Sequence, residues 1–318
     1  MNKRRKTNEK AKKNIIQKLI TFFTTLIVIG IIIYTVLTLF NISIVDEIDN
    51  MISTVTSQPK KKTVINALVC GLNENMTDTI IYVRYEPKTG KIGMMSIPRD
   101  TSIAGSKPTA NASNKLNSVY RGTHTEEFVS QVEKLLDVNI DYYLFFDSEM
   151  LISMVDEIGG VEVEVPIRMK YDDPTQNLHI DLQPGKQVLN GKQAEQFVRF
   201  RKNNDGSGYA RGDVDRVEAQ QEFIKSFIST VLKPKNILKI KSLIEIALNQ
   251  TDTNITLREA LRYSTDITKI DMDNIVSCTA PGDFYDAKNP YWVSFWILNQ
   301  KEAHRIITEE FSSGEWWV

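Results

Sequence analysis

Residues 19–40, L-I-T-F-F-T-T-L-I-V-I-G-I-I-I-Y-T-V-L-T-L-F, form an uncharged run. As a helix it would span roughly 33 Å, enough to cross the hydrocarbon core of a bilayer. A cleaved signal peptide would have a shorter apolar region followed by small residues, whereas this run ends in Leu39-Phe40-Asn41. Beyond it, residues 41–62 read as a polar tether, and folded structure is expected over 63–312 with a tail at 313–318. Val64 to Cys70 reads as a buried strand and Gly71 to Thr77 as a turn. Thr79–Tyr85 and Lys91–Ile97 read as hairpin arms joined by Pro87-Lys88-Thr89-Gly90.

Helical spacing appears further on. Thr125 is placed to cap a helix running to about Leu136, and Asp147 to cap a second one. The second carries Met150, Leu151, Met154, Val155 and Ile158 as an apolar stripe, read as core, and ends at Gly159-Gly160. Val161–Val165 alternates with glutamates as a half-exposed strand. Gly191–Val198 reads as a short helix and Asp213–Leu232 as a long one, followed by helices near 236–249 and 256–264. A strand near Asn274–Thr279 and a helix near 291–310 close the series. Strands interspersed with helices in one unit indicate an α/β or α+β domain.

Charge changes the picture in one respect. The chain of 318 residues has a net charge of −1, but residues 1–18 hold eight Lys or Arg against Glu9 alone. The remainder therefore has 31 basic and 39 acidic residues, a net charge of −8. A basic tail before the apolar run and Asp46, Glu47 and Asp49 after it place residues 1–18 in the cytoplasm and residues 41–318 outside, by the positive-inside rule. The acidic body argues against non-specific nucleic-acid binding. The basic tail is too short for a DNA-binding domain, so a transcriptional regulator is disfavoured. Cys70 and Cys278 read as buried free thiols in preference to a disulfide. The scattered His124, His179 and His304 argue against a zinc site.

The chemistry concentrates at Arg199–Gln221, R-F-R-K-N-N-D-G-S-G-Y-A-R-G-D-V-D-R-V-E-A-Q-Q. In an extended segment Arg199 and Arg201 leave one face. In a helix Asp213, Arg216 and Gln220 stack on another, above an apolar stripe of Phe223, Ile224, Phe227 and Ile228. Converging arginines suit an anion, and phosphate above all. Capping by Asp213 and surface ion pairs are the plainer alternative, which the residues alone disfavour only slightly. Arg99 and Asp100 leave a strand end at the bend of S-I-P-R-D-T, 96–101.

These motifs resemble the LytR–CpsA–Psr (LCP) family of Gram-positive cell-envelope proteins. The match runs through D-T-I-I-Y-V at 78–83, S-I-P-R-D-T at 96–101, N-K-L-N-S-V-Y at 114–120 and D-E-I-G-G-V-E-V-E-V-P at 156–166. It continues with L-Q-P-G-K-Q-V-L-N-G-K-Q-A at 182–194, R-F-R at 199–201 and D-V-D-R-V-E-A-Q-Q at 213–221. The order is the family's, over about residues 64–232.

The resemblance implies a three-layer α/β/α sandwich around a mixed central sheet, holding a polyprenyl pyrophosphate in an apolar channel. It implies transfer of a phosphate-linked glycopolymer (wall teichoic acid, capsule or another secondary polymer) from that carrier to a peptidoglycan sugar hydroxyl. Arg99, Lys115, Arg199, Arg201, Arg216 and Gln220 match pyrophosphate-contacting positions. Asp78 matches a carboxylate that binds Mg²⁺, and Asp213 matches an aspartate assigned to catalysis. Two departures stand out: Asn73 replaces a frequent second aspartate, with Glu74 beside it, and Ala219-Gln220-Gln221 replaces a common R-Q-Q. A non-enzymatic scaffold that binds lipid-linked polymer, or a pyrophosphate hydrolase, remains the alternative.

Overall fold

The computed structural model describes residues 61–73, 76–176, 178–288 and 292–313. The basic tail, the apolar run 19–40, most of the 41–62 tether, Glu74 and residues 314–318 lie outside the described residues. Among the described residues no helix is long and apolar enough to cross a membrane.

Among the described residues the first elements are β1 (Ile65–Asn73), β2 (Met76–Glu86) and β3 (Lys91–Ser96), then α1 (Thr125–Leu136), β4 (Tyr142–Phe146) and α2 (Ser148–Ile158). Four short strands follow: β5 (Val161–Val165), β6 (Met169–Asp173), β7 (Leu178–Leu182) and β8 (Gly185–Leu189). After them come α3 (Gly191–Arg199), α4 (Asp213–Val231), α5 (Pro234–Ile237), α6 (Ile240–Asn249), β9 (Thr251–Thr253) and α7 (Leu257–Ser264). Next come β10 (Ile275–Thr279), β11 (Gly282–Ala287), β12 (Val293–Leu298) and α8 (Gln300–Arg305), which continues as a π-helical turn at Ile306–Glu310 and a short helix at Phe311–Ser313.

Six strands form one sheet in the order β10-β3-β2-β1-β4-β9. Pairs β1–β4 and β3–β10 are parallel and the others antiparallel, so the sheet is mixed. Period-two alternation decides what each face does. Leu68, Cys70, Ile80, Tyr82, Met95 and Phe145 point into a core closed by Phe128, Val132 and Leu136 of α1 and Ala303 of α8. On the other face, Ile81, Ile92, Met94 and Ile275 pack against Ile224 and Ile228 of α4. Helices therefore lie on both faces, giving the mixed α/β layering expected. A second core joins α2, α3 and α4 to the strands from β5 to β8, with Val161, Val163 and Val165 inward and Glu162 and Glu164 exposed.

Several local expectations are corrected. The turn expected over Gly71–Thr77 is shorter, because pairing continues to Asn73 opposite Met76. The helix expected near 291–310 begins only at Gln300, capped by Asn299; before it, Val293–Leu298 is β12, paired antiparallel with β11. Val, Phe, Trp and Ile favour strands once a partner is present, and the polar text of β11 hid that partner. Thr125 does not cap α1: His124 holds that position, and the Thr125 hydroxyl bonds Asp252 at 2.5 Å. Asp147 does cap α2, accepting from the Met150 N–H at 2.9 Å.

Both cysteines are free. Their strands are three steps apart in the sheet, on the order of 14 Å, too far for a disulfide.

Candidate active site

Beneath α2 and α4 the second face of the sheet becomes the floor of a cavity of about 490 Å³. Val69, Gly71, Ile81, Val83, Leu144 and Phe146 supply that floor, the alternate positions to those in the core. Met150, Leu151 and Met154 of α2 form one wall. The Met-rich stripe read as core thus serves in part to line the cavity. A second wall comes from α4, which presents Arg216, Gln220, Phe223, Ile224 and Phe227, at i, i+4, i+7, i+8 and i+11 on one helix face. Polarity changes along that wall: the cation and amide come first, aromatic and aliphatic groups after. From Arg216 to Phe227 the helix advances about 16 Å.

Six of the expected residues share this lining: Asp78, Arg99, Arg199, Arg201, Arg216 and Gln220. Lys115 does not; its Nζ pairs with Asp100 at 3.0 Å and lies 5.9 Å from the Phe295 ring centre. Asp213 is the first residue of α4, and the capping position expected of it belongs to Gly212, whose φ of 59° suits glycine. The Asp213 side chain lies outside the described part of the structure. Lys202 and Asp147 also line the cavity, unforeseen from the sequence. Among the described lining residues five side chains are cationic and two are carboxylates.

The local sequence explains why the arginines converge. Asn190 and Gln193 form a capping box that starts α3. Gly191 lets α3 approach α2 closely, since a Cβ there would lie 2.4 Å from the Ile152 carbonyl oxygen. The Gly191 N–H also donates to Asp156 at 2.7 Å. Arg199 ends α3 as a helical residue, which corrects the extended reading of Arg199 and Arg201. Phe200, fully buried, then breaks into extended geometry between them. That anchor leaves both flanking arginines on the cavity. Beyond it, Asn203 and Asn204 fasten the loop along β6, accepting from the Lys170 and Asp172 N–H groups at 2.6 and 2.7 Å.

Glu195, 4% exposed, receives Arg199 at 3.0 Å and Lys192 at 2.6 Å. Burial acts to raise its pKa, but the bonds from Lys192 and Arg199 outweigh it and hold the carboxyl below its ordinary value. Arg99 Nη1 lies 2.5 Å from Asp78 Oδ1, and the Asn73 amide donates to Asp78 Oδ2 at 3.1 Å. Gln220 donates to the Val198 carbonyl at 2.8 Å, tying α4 to α3. Gln221 plays a different part: its buried amide binds Ser96 Oγ at 3.0 Å and the Cys278 carbonyl at 3.1 Å, joining α4 to the sheet.

Among the described residues no group of three or more His, Cys, Asp or Glu is arranged to hold a metal ion. Asp78 and Asn73 offer one carboxylate and one carboxamide. That small set fits Mg²⁺ where phosphate oxygens and water complete the shell, with the present Asp78 bonds exchanged for the ion.

A layered α/β domain whose cleft joins clustered arginines to an apolar trough is complementary to an anion that carries an apolar tail. The LytR_cpsA_psr family model matches residues 37–312, and the chain belongs to that family. It is 30% identical over 209 residues to the polyisoprenyl-teichoic acid–peptidoglycan teichoic acid transferase TagV of Bacillus subtilis, covering 63% of this chain and 52% of that protein. With TagU of the same organism it shares 31% identity over 203 residues, 62% of this chain and 61% of TagU. The matches thus span about half to three fifths of these relatives' own length. The crystal structure of B. subtilis TagV superposes with a TM-score of 0.65 at 24% identity, over 79% of this chain and 98% of that one, a likeness of fold.

Proposed function

We propose that this chain is a membrane-anchored, extracellular glycopolymer transferase. It moves a phosphate-linked cell-wall polymer from a polyprenyl pyrophosphate carrier to a sugar hydroxyl of peptidoglycan. The observation that carries the reading is the graded cavity, with Arg99, Arg199, Arg201 and Arg216 at one part and Phe223, Ile224 and Phe227 along the same α4 wall. A pyrophosphate with an apolar tail has that same division.

In this mechanism the arginines hold the pyrophosphate oxygens and stabilise charge that builds at the transferred phosphorus. The acceptor hydroxyl forms a new P–O bond, the bridging P–O bond breaks, and polyprenyl phosphate leaves with the electron pair. Asp213 is the proposed base for the hydroxyl proton. Mg²⁺, held by Asp78 and Asn73 with phosphate oxygens, would neutralise further charge. The apolar run at 19–40 is the proposed anchor, keeping the domain at the outer leaflet where the carrier is confined, a gain in effective concentration.

A scaffold that binds lipid-linked polymer without transfer is the second reading, favoured by one observation: both Asp78 oxygens are already engaged by Arg99 and Asn73. The full chain, given a lipid-pyrophosphate-linked saccharide and peptidoglycan oligomers with and without Mg²⁺, separates the two. Saccharide covalently joined to peptidoglycan, and lost in Arg199→Ala, supports transfer. Tight binding with no product under any metal condition supports the scaffold.

A further inference from the structure

Strands β11 and β12 form a small sheet of their own, and none of its residues lines the cavity. Phe284 is opposite Trp296 and Asp286 opposite Ser294, so all four project on that face. The other face turns inward, with Phe295 and Ala287 buried. Phe284, by contrast, is 69% exposed. Its ring meets Trp296 edge-on, with centres 5.0 Å apart at 81°.

The Trp296 indole is held in place. Its Nε1 donates to the Ala280 carbonyl at 3.2 Å, and a Cβ at Gly282 would approach that nitrogen to 2.7 Å, so glycine leaves the space the ring uses. Next to the aromatic pair the Ser294 hydroxyl donates to the exposed Asp286 carboxylate at 2.7 Å. The result is a rigid aromatic step with an acceptor at its side.

This face is mounted on the segment that bears Arg99. The Trp296 N–H donates to the Asp100 carbonyl at 3.0 Å, and the Ser102 N–H donates to the Trp296 carbonyl at 2.8 Å. Thr101 pairs with Trp296 as a parallel bridge. Asp100 directly follows Arg99, which lines the phosphate cavity.

We propose that the Phe284–Trp296 face is a carbohydrate subsite for the acceptor glycan. Its role as acceptor subsite rests on the transferase reading above. A pyranose ring presents a C–H-rich face that stacks on the electron-rich face of an aromatic ring. Its equatorial hydroxyls reach sideways as donors, and Asp286 is an acceptor with lone pairs to spare. A lipid surface or an apolar partner would strip water from that carboxylate without replacing its hydrogen bonds, an unfavourable exchange. Continuity through Asp100–Ser102 brings a glycan bound here toward the phosphate held by Arg99.

The test uses the full chain in detergent and a tetrasaccharide of alternating N-acetylglucosamine and N-acetylmuramic acid, titrated calorimetrically. Phe284→Ala and Asp286→Ala alter exposed side chains, and a thermal melt checks that each variant remains folded. Tetrasaccharide binding is expected to weaken at least tenfold in each, with acceptor KM rising by a similar factor. Affinity for a short-chain polyprenyl pyrophosphate is expected to stay unchanged. No binding by the unaltered chain, or equal binding by all three, overturns the subsite. So does a Phe284→Ala variant that loses vesicle binding or self-association while its tetrasaccharide affinity is unaltered. Weakened binding in the variants with no transfer by any form would leave the subsite standing and remove the transferase reading.

Discussion

Arg99 and Asp78 are joined by an ion pair of 2.5 Å at the edge of the arginine cluster, and Asn73 occupies the second carboxylate oxygen of Asp78 at 3.1 Å. An amide beside a carboxylate donates to it, whereas a second carboxylate would repel it unless a cation lay between them. Asn73→Asp is therefore expected to raise affinity for a divalent ion at least about tenfold, since ligand charge tunes such sites. Mn²⁺ titration followed by electron paramagnetic resonance measures it. Equal affinity in both proteins would show that residue 73 does not face the ion.

Arg199 and Arg201 flank the buried Phe200 and both reach the cavity. Each charge-assisted hydrogen bond to phosphate contributes about 1.5–3 kcal/mol. Arg199→Ala and Arg201→Ala are each expected to lower transfer by a factor on the order of ten to a hundred or more, with the domain still folded in a thermal melt. Full activity in either variant removes that residue from the site.

Glu195 lies between Lys192 and Arg199 with its pKa held below the ordinary 4.5. A carboxyl depressed in the folded state adds stability above its unfolded pKa, and that stability is lost as pH falls through the folded value. Glu195→Gln is expected to destabilise the domain at neutral pH by about 1–3 kcal/mol. The difference from the unaltered chain should shrink below about pH 4.5. Denaturant melts across this range provide the measurement; a constant difference would refute the assignment.

Met154 of α2 and Phe227 of α4 both line the apolar part of the cavity. Met154→Trp adds volume there. It is expected to weaken binding of a long-chain polyprenyl pyrophosphate at least about tenfold, while leaving inorganic pyrophosphate affinity intact. Parallel calorimetric titrations decide it. Equal loss for both ligands would place the tail elsewhere.

Cys70 is pushed up by burial, and burial followed by the nearby Glu310 charge raises Cys278 to about 12. At pH 8 neither thiol is expected to react with a disulfide reagent in the native protein, and both are expected to react in denaturant. Rapid native labelling of Cys70 would contradict its burial.

What could be read along the chain was local. Alternating valines and glutamates at 161–165, the cap at Asp147 and the helix stripe below Arg216 are nearest-neighbour patterns, and each became the element expected. The arginine cluster was legible because Arg216 and Gln220 are one turn apart on a helix and Arg199 and Arg201 flank a single residue. The family motifs, likewise, are short and in order.

Tertiary structure decided what depended on partners distant in the chain. The text 293–298 became a strand because residues 282–287 pair with it, and polar β11 does not announce itself. Met150, Leu151 and Met154 line a cavity as well as packing on the core beside it, because the sheet face there is only partly covered, and an apolar stripe looks the same in either setting. Lys115 has the motif's spacing but lies outside the lining, tied to Asp100. Gln221, next to the cavity residue Gln220, is turned 100° around the helix and braces Ser96 and Cys278. Periodicity along one segment specifies which residues share a face; only the packing of segments specifies what that face meets.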